Sequence, residues 1–282
     1  MGKVSLHSIV DAVNDLPSLP QISKRVIELT DDPNSTAYHI NAVLSKDPSM
    51  TAKILRLANS AYYGFPRRIP TIAEATILLG FQTIRSMVMA ASVNMLLSQK
   101  MEGYALSQGE LWKHSQASAI AARLIAREIR FPNPELAYTA ALLHDIGKVV
   151  LNSYMRELYH EVLERAETDQ IPFLEAEDIV LGFNHAVVGS RVAEKWNLPV
   201  ELIEAIAFHH HPDQSKHNHR LTALVHISDF ICLTMGIGIG VDGLLYQVST
   251  KALENLRISE DAIQIYISRL SDMFSDQDSF EF

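Results

Sequence analysis

The hydrophobic positions of this chain recur at helical spacing along most of its length, and the alternation typical of strands is almost absent. Asp47 and Pro48 predict the start of one helix, because Asp47 is an N-capping residue and Pro48 occupies the first helical position. The apolar residues that come next share one helical face: Met50, Ile54, Leu55, Leu57 and Ala58. The pattern therefore predicts an all-α fold.

Helix starts and ends are marked in the same way elsewhere in the chain. Thr71 and Glu74 form a T-x-x-E capping box, in which each side chain is expected to bond the backbone N–H of the other residue. Asn133–Pro134 is another cap with a first-turn proline, and the helix that it opens is predicted to continue to about Leu151. Further helices are predicted over residues 185–196, 200–209 and 220–235.

The chain is predicted to form two helical subdomains. Residues 1–103 make a bundle of short helices, because prolines interrupt this part of the chain: Pro17, Pro20, Pro33, Pro48, Pro66 and Pro70. Residues 104–275 have longer helices and make a second bundle, on which the first is expected to pack. The polar stretch at 98–109 connects the two, and the acidic tail at 276–282 is expected to fray.

The composition is that of a globular protein, with 48% hydrophobic and 20% charged residues among 282. The formal net charge is -9, and no long basic stripe interrupts it. Because an acidic surface repels phosphate backbones, we expect no nucleic-acid partner. A small phosphorylated ligand or nucleotide stays open as a hypothesis, since a bound metal ion can reverse the charge locally.

The sequence contains no signal for secretion or for a membrane. Cys232 is the only cysteine and lies in an apolar run, which predicts a buried thiol and excludes an internal disulfide. The first residues lack the apolar run of a signal peptide, and no uncharged apolar stretch reaches the ~18 residues of a membrane-spanning helix. We therefore expect a cytoplasmic protein without membrane association.

The glycines at 238–243 match G-x-G-x-x-G, the pattern of a dinucleotide-binding turn. That turn needs a strand before it and a helix after it, whereas here a predicted helix ends before the first glycine. We interpret these glycines as a helix end followed by a loop, and we expect no dinucleotide cofactor.

Histidines and acidic residues collect in the second half of the chain. His144–Asp145 lies in the apolar run 140–151, where burying an imidazole and a carboxylate is costly unless a metal or a partner compensates. A metal does so directly, since a carboxylate can bridge two ions and neutral imidazole suits transition metals. Other predicted helices carry further candidate ligands, as in the metal sites of helical bundles: Glu110, His114, His185, His209, His210 and Asp229.

At this point the chain resembles a known family. Three segments of the second half resemble the H…HD…D signature of the HD superfamily of metal-dependent phosphohydrolases: LWKHS at 111–115, HDIGK at 144–148 and HISD at 226–229. Segments of the first half resemble the HDOD family, the HD-related output domains of bacterial signalling proteins: LPSLP at 16–20, DPSMTAKILRLANSAYYG at 47–64, Ala73, Leu79–Gly80 and Arg85. The resemblance covers roughly residues 12–235 and implies an HD-type bundle in the second half.

The resemblance also implies roles for single residues. In HD enzymes the first metal is held by the residues that match His114, His144, Asp145 and Asp229. In the related HD-GYP phosphodiesterases the counterpart of Asp145 bridges to a second metal, whose other ligands match His185, His209 and His210. Glu110 resembles an extra carboxylate of some HD-GYP proteins, and Lys148 matches the lysine that contacts substrate phosphate. The ligand types suit one or two ions of iron, manganese, zinc or nickel.

Two functions of different classes stay open. As an HDOD protein the chain is expected to be a signalling or regulatory output protein with a divalent metal site and a protein partner. The alternative is an active metal-dependent phosphohydrolase that acts on a nucleotide or another phosphoester, with Asp145 and Lys148 as catalytic residues. The segment 211–216 replaces the D-G-x-G-Y-P turn of HD-GYP enzymes, so hydrolysis of cyclic di-GMP is not expected. A third interpretation is that the histidines and aspartates only form hydrogen bonds within the bundle.

The first half of the chain has no residue set that looks catalytic. It offers instead a set of polar residues that form either a surface for a partner or ligand, or simply solvated positions: Arg56, Asn59, Arg67, Arg68 and Arg85.

Overall fold

The computed structural model describes residues 18–60, 62–240 and 246–275, without the side chains of Ser153, Tyr154, Met155 and Tyr159. Within these ranges every regular element is a helix, and the one β-type pairing is an isolated bridge between Met101 and Leu106. The predicted all-α fold is confirmed. None of the described helices is both long enough and apolar enough to cross a bilayer. The tail predicted to fray, 276–282, lies outside the described residues.

The chain divides into two compact units. The smaller unit runs from Leu19 to Met95 and also includes the segment that begins at Arg269. The larger unit runs from Leu96 to Ser268. The domain boundary after residue 103 remains a prediction. The helices that begin in the smaller unit are α1 (Gln21–Asp31), α2 (Ala37–Leu44), α3 (Pro48–Ala58), α4 (Ile72–Leu79) and α5 (Phe81–Leu97).

The core of the smaller unit is aliphatic, and its central residues are all buried: Val26, Ile40, Leu44, Ile54, Ile69, Ile72, Ala75, Ile84 and Val88. Local caps start its helices as expected at Asp47, which accepts the Met50 N–H at 3.0 Å. The predicted capping box is only half formed. Thr71 accepts the Glu74 N–H at 3.1 Å, but the Glu74 carboxylate pairs with Arg67 at 2.8 Å.

The helices that begin in the larger unit are α6 (Glu110–Glu128), α7 (Pro134–Leu143), α8 (Ile146–Asp169), α9 (Phe173–Leu181), α10 (His185–Lys195), α11 (Val200–Ala207), α12 (His219–Thr234), α13 (Thr250–Leu256) and α14 (Glu260–Phe274). Two 3₁₀ turns lie at Glu102–Tyr104 and Pro212–Gln214. Helix α6 packs against α7 and α12. This close packing is possible because α6 presents small buried residues: Ala117, Ala119, Ala121, Ala122 and Ala126.

The helix expected from Asn133–Pro134 to Leu151 is interrupted, and that prediction was wrong. Helix α7 ends at Leu143 and α8 begins at Ile146. His144 keeps helical angles, but Asp145 has φ -97° and ψ 9°, which turns the chain. In an unbroken helix two successive side chains diverge by about 100°. The turn therefore lets His144 and Asp145 face a common centre.

Two glycines allow the start of α8 to lie directly against α10. A Cβ on Gly147 would lie 1.9 Å from the His185 carbonyl oxygen and 2.6 Å from the Gly189 nitrogen. Only glycine fits such an approach of two backbones. The contact brings Asp145, just before α8, close to His185 at the start of α10.

Glu204 on α11 holds the turn that follows the predicted histidine ligands. Its carboxylate accepts hydrogen bonds from the hydroxyl of Ser215, the backbone of Lys216, and both the backbone and the Nδ1 of His217. Burial raises the pKa of Glu204, but the bonds from His217, Ser215 and Lys216 outweigh it and lower the pKa to about 2.

We predict that Gly147→Ala lowers the free energy of unfolding by about 1–3 kcal/mol or more, because the new methyl group overlaps backbone atoms. Alanine is the better helix former by about 1 kcal/mol, so a loss shows that the overlap dominates. Gly189→Ala should cost less, since its nearest neighbours, the γ2 methyl of Ile206 at 2.9 Å and the Gly147 nitrogen at 3.2 Å, lie farther away. Urea denaturation of the three proteins checks the order; a Gly147→Ala protein as stable as wild type contradicts it.

We predict that Glu204→Gln destabilises the protein at neutral pH and that the difference from wild type shrinks in acid. The folded pKa of Glu204, about 2, lies below its ordinary 4.5, so its contribution is complete above pH 4.5 and is lost as the pH falls towards 2. Unfolding free energies across this pH range measure the effect. Glu201→Gln, on the same helix without a hydrogen bond to the turn, is the control. A difference that stays constant with pH would refute the assignment.

Candidate metal centre

Five segments of the larger unit bring the predicted ligands to one place. Helix α6 carries His114, the α7–α8 turn carries His144 and Asp145, α10 begins with His185, and α12 carries Asp229. The fifth segment is the turn after α11, which carries His209 and His210, so the helix is shorter than the predicted 200–209. All of these residues are at most 2% exposed except His210, which is partly exposed.

The ligand atoms fall into three overlapping sets, each with its atoms within 4.8 Å of one another: His114, His144 and Asp229; His144, Asp145 and His209; and His185, His209 and His210. His144 and His209 each belong to two sets, so the sets form one continuous cluster. Each set has the composition and size to hold a metal ion.

Asp145 lies between the sets, and its two carboxylate oxygens face different histidines. Oδ2 is 3.4 Å from His144 Nε2 and 3.7 Å from His114 Nε2. Oδ1 is 3.5 Å from His185 Nε2 and 3.9 Å from His209 Nε2. This is the arrangement of a carboxylate that can bridge two ions.

Asp229 and His210 complete the two ends of the cluster. Asp229 Oδ1 lies 3.0 Å from His114 Nε2 and 3.5 Å from His144 Nε2. At the other end, the Nε2 atoms of His185 and His210 lie 2.9 Å apart.

Four of the histidine rings are oriented by bonds from their outer nitrogen. The Nδ1 atoms of His114, His144 and His209 lie 3.0, 2.6 and 2.7 Å from backbone carbonyl oxygens of Ile237, Ala141 and Ile206, respectively. The Nδ1 of His185 lies 2.7 Å from the carboxylate of Glu177. These partners can only accept, so Nδ1 donates to each of them, and a ring that gives up its other proton when a metal ion binds turns an Nε2 lone pair into the cluster. Metal-binding histidines are typically held in this way.

Two nitrogens at the centre of the cluster are unsatisfied. His144 Nε2 and His209 Nε2 are buried and have no hydrogen-bond partner among the described residues. Leaving a buried polar atom unpaired costs about 1–3 kcal/mol. A metal ion accepts such lone pairs, so the residues present fit a metal.

The charges of the cluster favour a cation. Burial raises the pKa of Asp145, but the charges of His144 and Lys148 outweigh it and hold the pKa well below 3.8. Asp229 behaves alike: burial raises its pKa, and the hydrogen bond from His114 together with the nearby His144 holds the pKa well below 3.8. Two buried carboxylates are thus ionised at neutral pH, which is costly without compensating positive charge.

The histidines of the cluster differ in charge. Burial lowers the pKa of His209 and of His210 well below 6.5, so both are neutral, the form that binds metals. Burial also lowers the pKa of His144, but Asp145 and Asp229 outweigh it and raise the pKa to about 10. Without a metal, His144 therefore holds a proton between two carboxylates, the position where a metal cation would replace it.

Lys148 and Glu110 differ in their relation to the cluster. The buried Lys148 ammonium donates to Asp145 Oδ2 at 2.6 Å. The Glu110 carboxylate accepts the Ser107 N–H at 2.5 Å and is in none of the three ligand sets. Glu110 is the first residue of α6, and its side chain is therefore directed to the Ser107 N–H, which lies just before the helix. His211 is exposed at the surface.

Glu177 is a positioning residue that the sequence analysis missed. It is fully buried on α9, accepts from the backbone and the ring of His185, and accepts the Tyr104 hydroxyl at 2.7 Å. Glu177 is one of three acidic residues in the nine-residue helix α9, so nothing in the sequence distinguishes it from its exposed neighbours.

The glycine-rich loop after α12 also supports the cluster. Gly238 has φ +59°, and a Cβ there would lie 2.7 Å from both the Glu110 carbonyl oxygen and the His114 Cβ. Glycine therefore lets the loop approach α6 closely enough for the Ile237 carbonyl to accept from His114. Gly238 acts here through packing.

His226 lies behind the cluster and was not among the predicted ligands. Its Nε2 accepts the Ser249 N–H at 2.8 Å, so its proton is on Nδ1, which donates to the His209 carbonyl at 2.8 Å. The Tyr246 hydroxyl lies 3.0 Å from the same Nδ1, and the Tyr246 ring packs edge-on against His210. His226 thus holds the backbone of a candidate ligand.

Comparisons with known proteins agree with this architecture. The chain is similar to an HDOD domain protein with unknown function from Geobacter sulfurreducens, with 25% identity, a TM-score of 0.78, and coverage of 98% of this chain and 99% of that one. It also shares its fold with a protein from Shewanella amazonensis SB2B that is named as a proposed phosphohydrolase, with 23% identity, a TM-score of 0.74, and coverage of 97% and 96%.

An uncharacterized protein of Treponema pallidum (strain Nichols) is 27% identical over 206 residues, which are 72% of this chain and 39% of that protein. The chain thus spans 39% of the length of this curated relative. A family model described as HDOD domain matches residues 16–212, well over half of the chain. The resemblance seen in the sequence is therefore confirmed, and the chain belongs to the HDOD domain family.

Proposed function

We propose that this protein is a cytoplasmic signalling or regulatory output protein whose larger unit binds one or two divalent transition-metal ions. The observation that carries the metal site is the position of Asp145, whose two oxygens face separate sets of histidines. The unsatisfied Nε2 atoms of His144 and His209 support it. Family membership and the resemblance to HD-related output domains support the signalling role and a protein partner.

Two ligand sets follow from this arrangement. One ion would take His114, His144, Asp145 and Asp229. A second ion would share Asp145 and take His185, His209 and His210. Imidazole with carboxylate suits iron, manganese, zinc or nickel.

The second candidate function is a metal-dependent phosphohydrolase, and the position of Lys148 favours it. A bound ion would supply a Lewis acid that also activates water. Lys148 places a buried ammonium beside Asp145, where it can neutralise a substrate phosphate or another phosphorylated ligand. Assays of the metal-loaded protein against phosphomonoesters, phosphodiesters, nucleotides and cyclic dinucleotides distinguish the two functions, since only an enzyme turns one of them over. We expect no hydrolysis of cyclic di-GMP.

We predict that protein purified without oxygen and with added iron or manganese holds one or two metal ions per chain. The double variant His144→Ala/Asp145→Ala should lose them, because it removes a shared histidine and the bridging carboxylate. His211→Ala, at the surface, should keep the wild-type content. Elemental analysis of the folded proteins gives the answer. Wild-type protein without metal under these conditions would end both proposed functions of the site.

We predict that Glu177→Ala weakens metal binding by about 10–100-fold, because His185 loses the partner that fixes its ring. Competition with a chelator of known affinity measures this. Glu175→Ala, on the exposed face of the same helix, should bind like wild type. Glu177→Gln, which keeps one acceptor oxygen, should fall between the two. Equal affinity in all four proteins would show that Glu177 does not position a ligand.

A further inference from the structure

The smaller unit contains a groove that takes no part in the candidate metal centre. The groove lies between the C-terminal half of α3 and residues 65–70, and its volume is about 1180 Å³. We call it the arginine groove; the residues that define it are Leu55, Arg56, Phe65, Arg67, Arg68 and Pro70.

The charge of the arginine groove is opposite to that of the chain. Three arginines border it and no acidic residue does, although the chain has a net charge of -9. Arg56 and Arg68 are exposed and form no ion pair with any described residue. Arg67 is 78% exposed and pairs with Glu74. At least two guanidinium groups are thus available to an anionic ligand, and guanidinium binds carboxylates through paired hydrogen bonds.

The side chains of two other polar residues of the first half are already bonded within the fold, although Asn59 also lines the groove. The Arg85 side chain forms an ion pair with Asp31. The Asn59 side chain is used within the fold: it accepts the Ile69 N–H at 2.6 Å and donates to the carbonyls of Ile69 and Leu55 at 2.9 and 2.7 Å. These bonds fix the segment after Arg67–Arg68 to α3. The arginines therefore stand on an anchored segment, which lowers the entropy lost on binding.

The groove also has an apolar floor. Leu55 and Phe65 are partly buried against the core of the smaller unit and still line the groove, together with Pro66 and Pro70. Its volume exceeds the about 300–1,000 Å³ of typical small-molecule sites. A nucleic-acid backbone carries charge along its whole length and would meet the acidic remainder of the protein beyond the groove, whereas a short acidic segment meets only the arginines. Carboxylates with neighbouring apolar side chains match both the arginines and the floor.

We propose that the arginine groove is the docking surface for an acidic peptide segment of a partner protein. Arg56 and Arg68 pair with carboxylates of that segment, and an apolar side chain of the segment rests on Leu55 and Phe65. This proposal rests on the proposed signalling role but not on the metal. Arginine is among the residues that most often dominate binding energy in interfaces.

The test uses the full chain and a short fluorescent peptide of glutamates and phenylalanines. Fluorescence anisotropy at low ionic strength should show saturable binding. Arg56→Glu/Arg68→Glu should weaken it by about tenfold or more. Arg25→Glu/Lys46→Glu changes the net charge equally at exposed positions of the same unit and should bind like wild type. Arg56→Ala/Arg68→Ala gives a smaller loss and serves if the reversed variant does not fold.

Several results would overturn the proposal. The proposal fails if the wild-type protein does not bind the peptide, or if the groove variants bind it as tightly as wild type does. It also fails if wild type binds a peptide with glutamine in place of glutamate as tightly as the glutamate peptide. Displacement of the peptide by inorganic phosphate alone would identify an anion site instead. Self-association that Arg56→Glu/Arg68→Glu abolishes, without peptide binding, would identify a second copy as the occupant. Peptide binding is also measured after the metal has been removed. If it is unchanged, the result for the arginine groove does not depend on whether the metal centre is confirmed.

Discussion

The buried carboxylate of Asp145 needs positive charge or hydrogen-bond donors around both of its oxygens, because an unpaired buried ion costs several kcal/mol. Much of the larger unit follows from this requirement. The turn between α7 and α8 directs Asp145 and His144 to the same side, and Lys148 reaches back one helical turn to Oδ2. The Gly147–Gly189 contact brings α10 close enough for His185 to face Oδ1. The surroundings that this one carboxylate requires thus account for the helix break, the two glycines and the buried lysine.

The histidines depend in turn on acceptors outside the cluster. Each of four rings is fixed by an outward bond from Nδ1, and the acceptors come from different kinds of structure. Two are carbonyls one turn earlier in the chain, at Ala141 and Ile206. Another is the loop carbonyl of Ile237, and the fourth is the Glu177 carboxylate. The geometry of the cluster is therefore set by packing over the whole unit and not by the ligands alone.

The local signals of the sequence predicted α3, α4, α10, α11 and α12, because caps and apolar periodicity act within a few residues. They could not predict the break at His144–Asp145, since the apolar pattern continues through it and the turn is stabilised by contacts with α6, α10 and α12. Glu110 was a candidate ligand because it resembles a carboxylate of some HD-GYP proteins. That resemblance could not show that α6 begins at Glu110, where the carboxylate accepts the Ser107 N–H.

Glu177 illustrates a further limit. Its partners are Tyr104 and His185, one of them 73 positions away in the chain, and no motif links such residues. The resemblance to HD proteins named most of the cluster because it carries ligand positions over directly. It gave no information about the residues that orient them. The family match itself ends at residue 212, before Asp229 and Ile237, so the chain after the match completes the cluster.

Both proposed functions depend on the same ion, and the charges around Asp145 explain why. Without a metal, Asp145 is balanced chiefly by Lys148 and a protonated His144, and Lys148 is held at 2.6 Å. A phosphate would have to break that pair and bring more negative charge beside two buried carboxylates. A cation held by the cluster would take over the balancing of Asp145, which would weaken the pair and free the ammonium for a phosphate oxygen. The proposed phosphoester chemistry would therefore require the metal, while the proposed signalling role would need only a metal-bound protein.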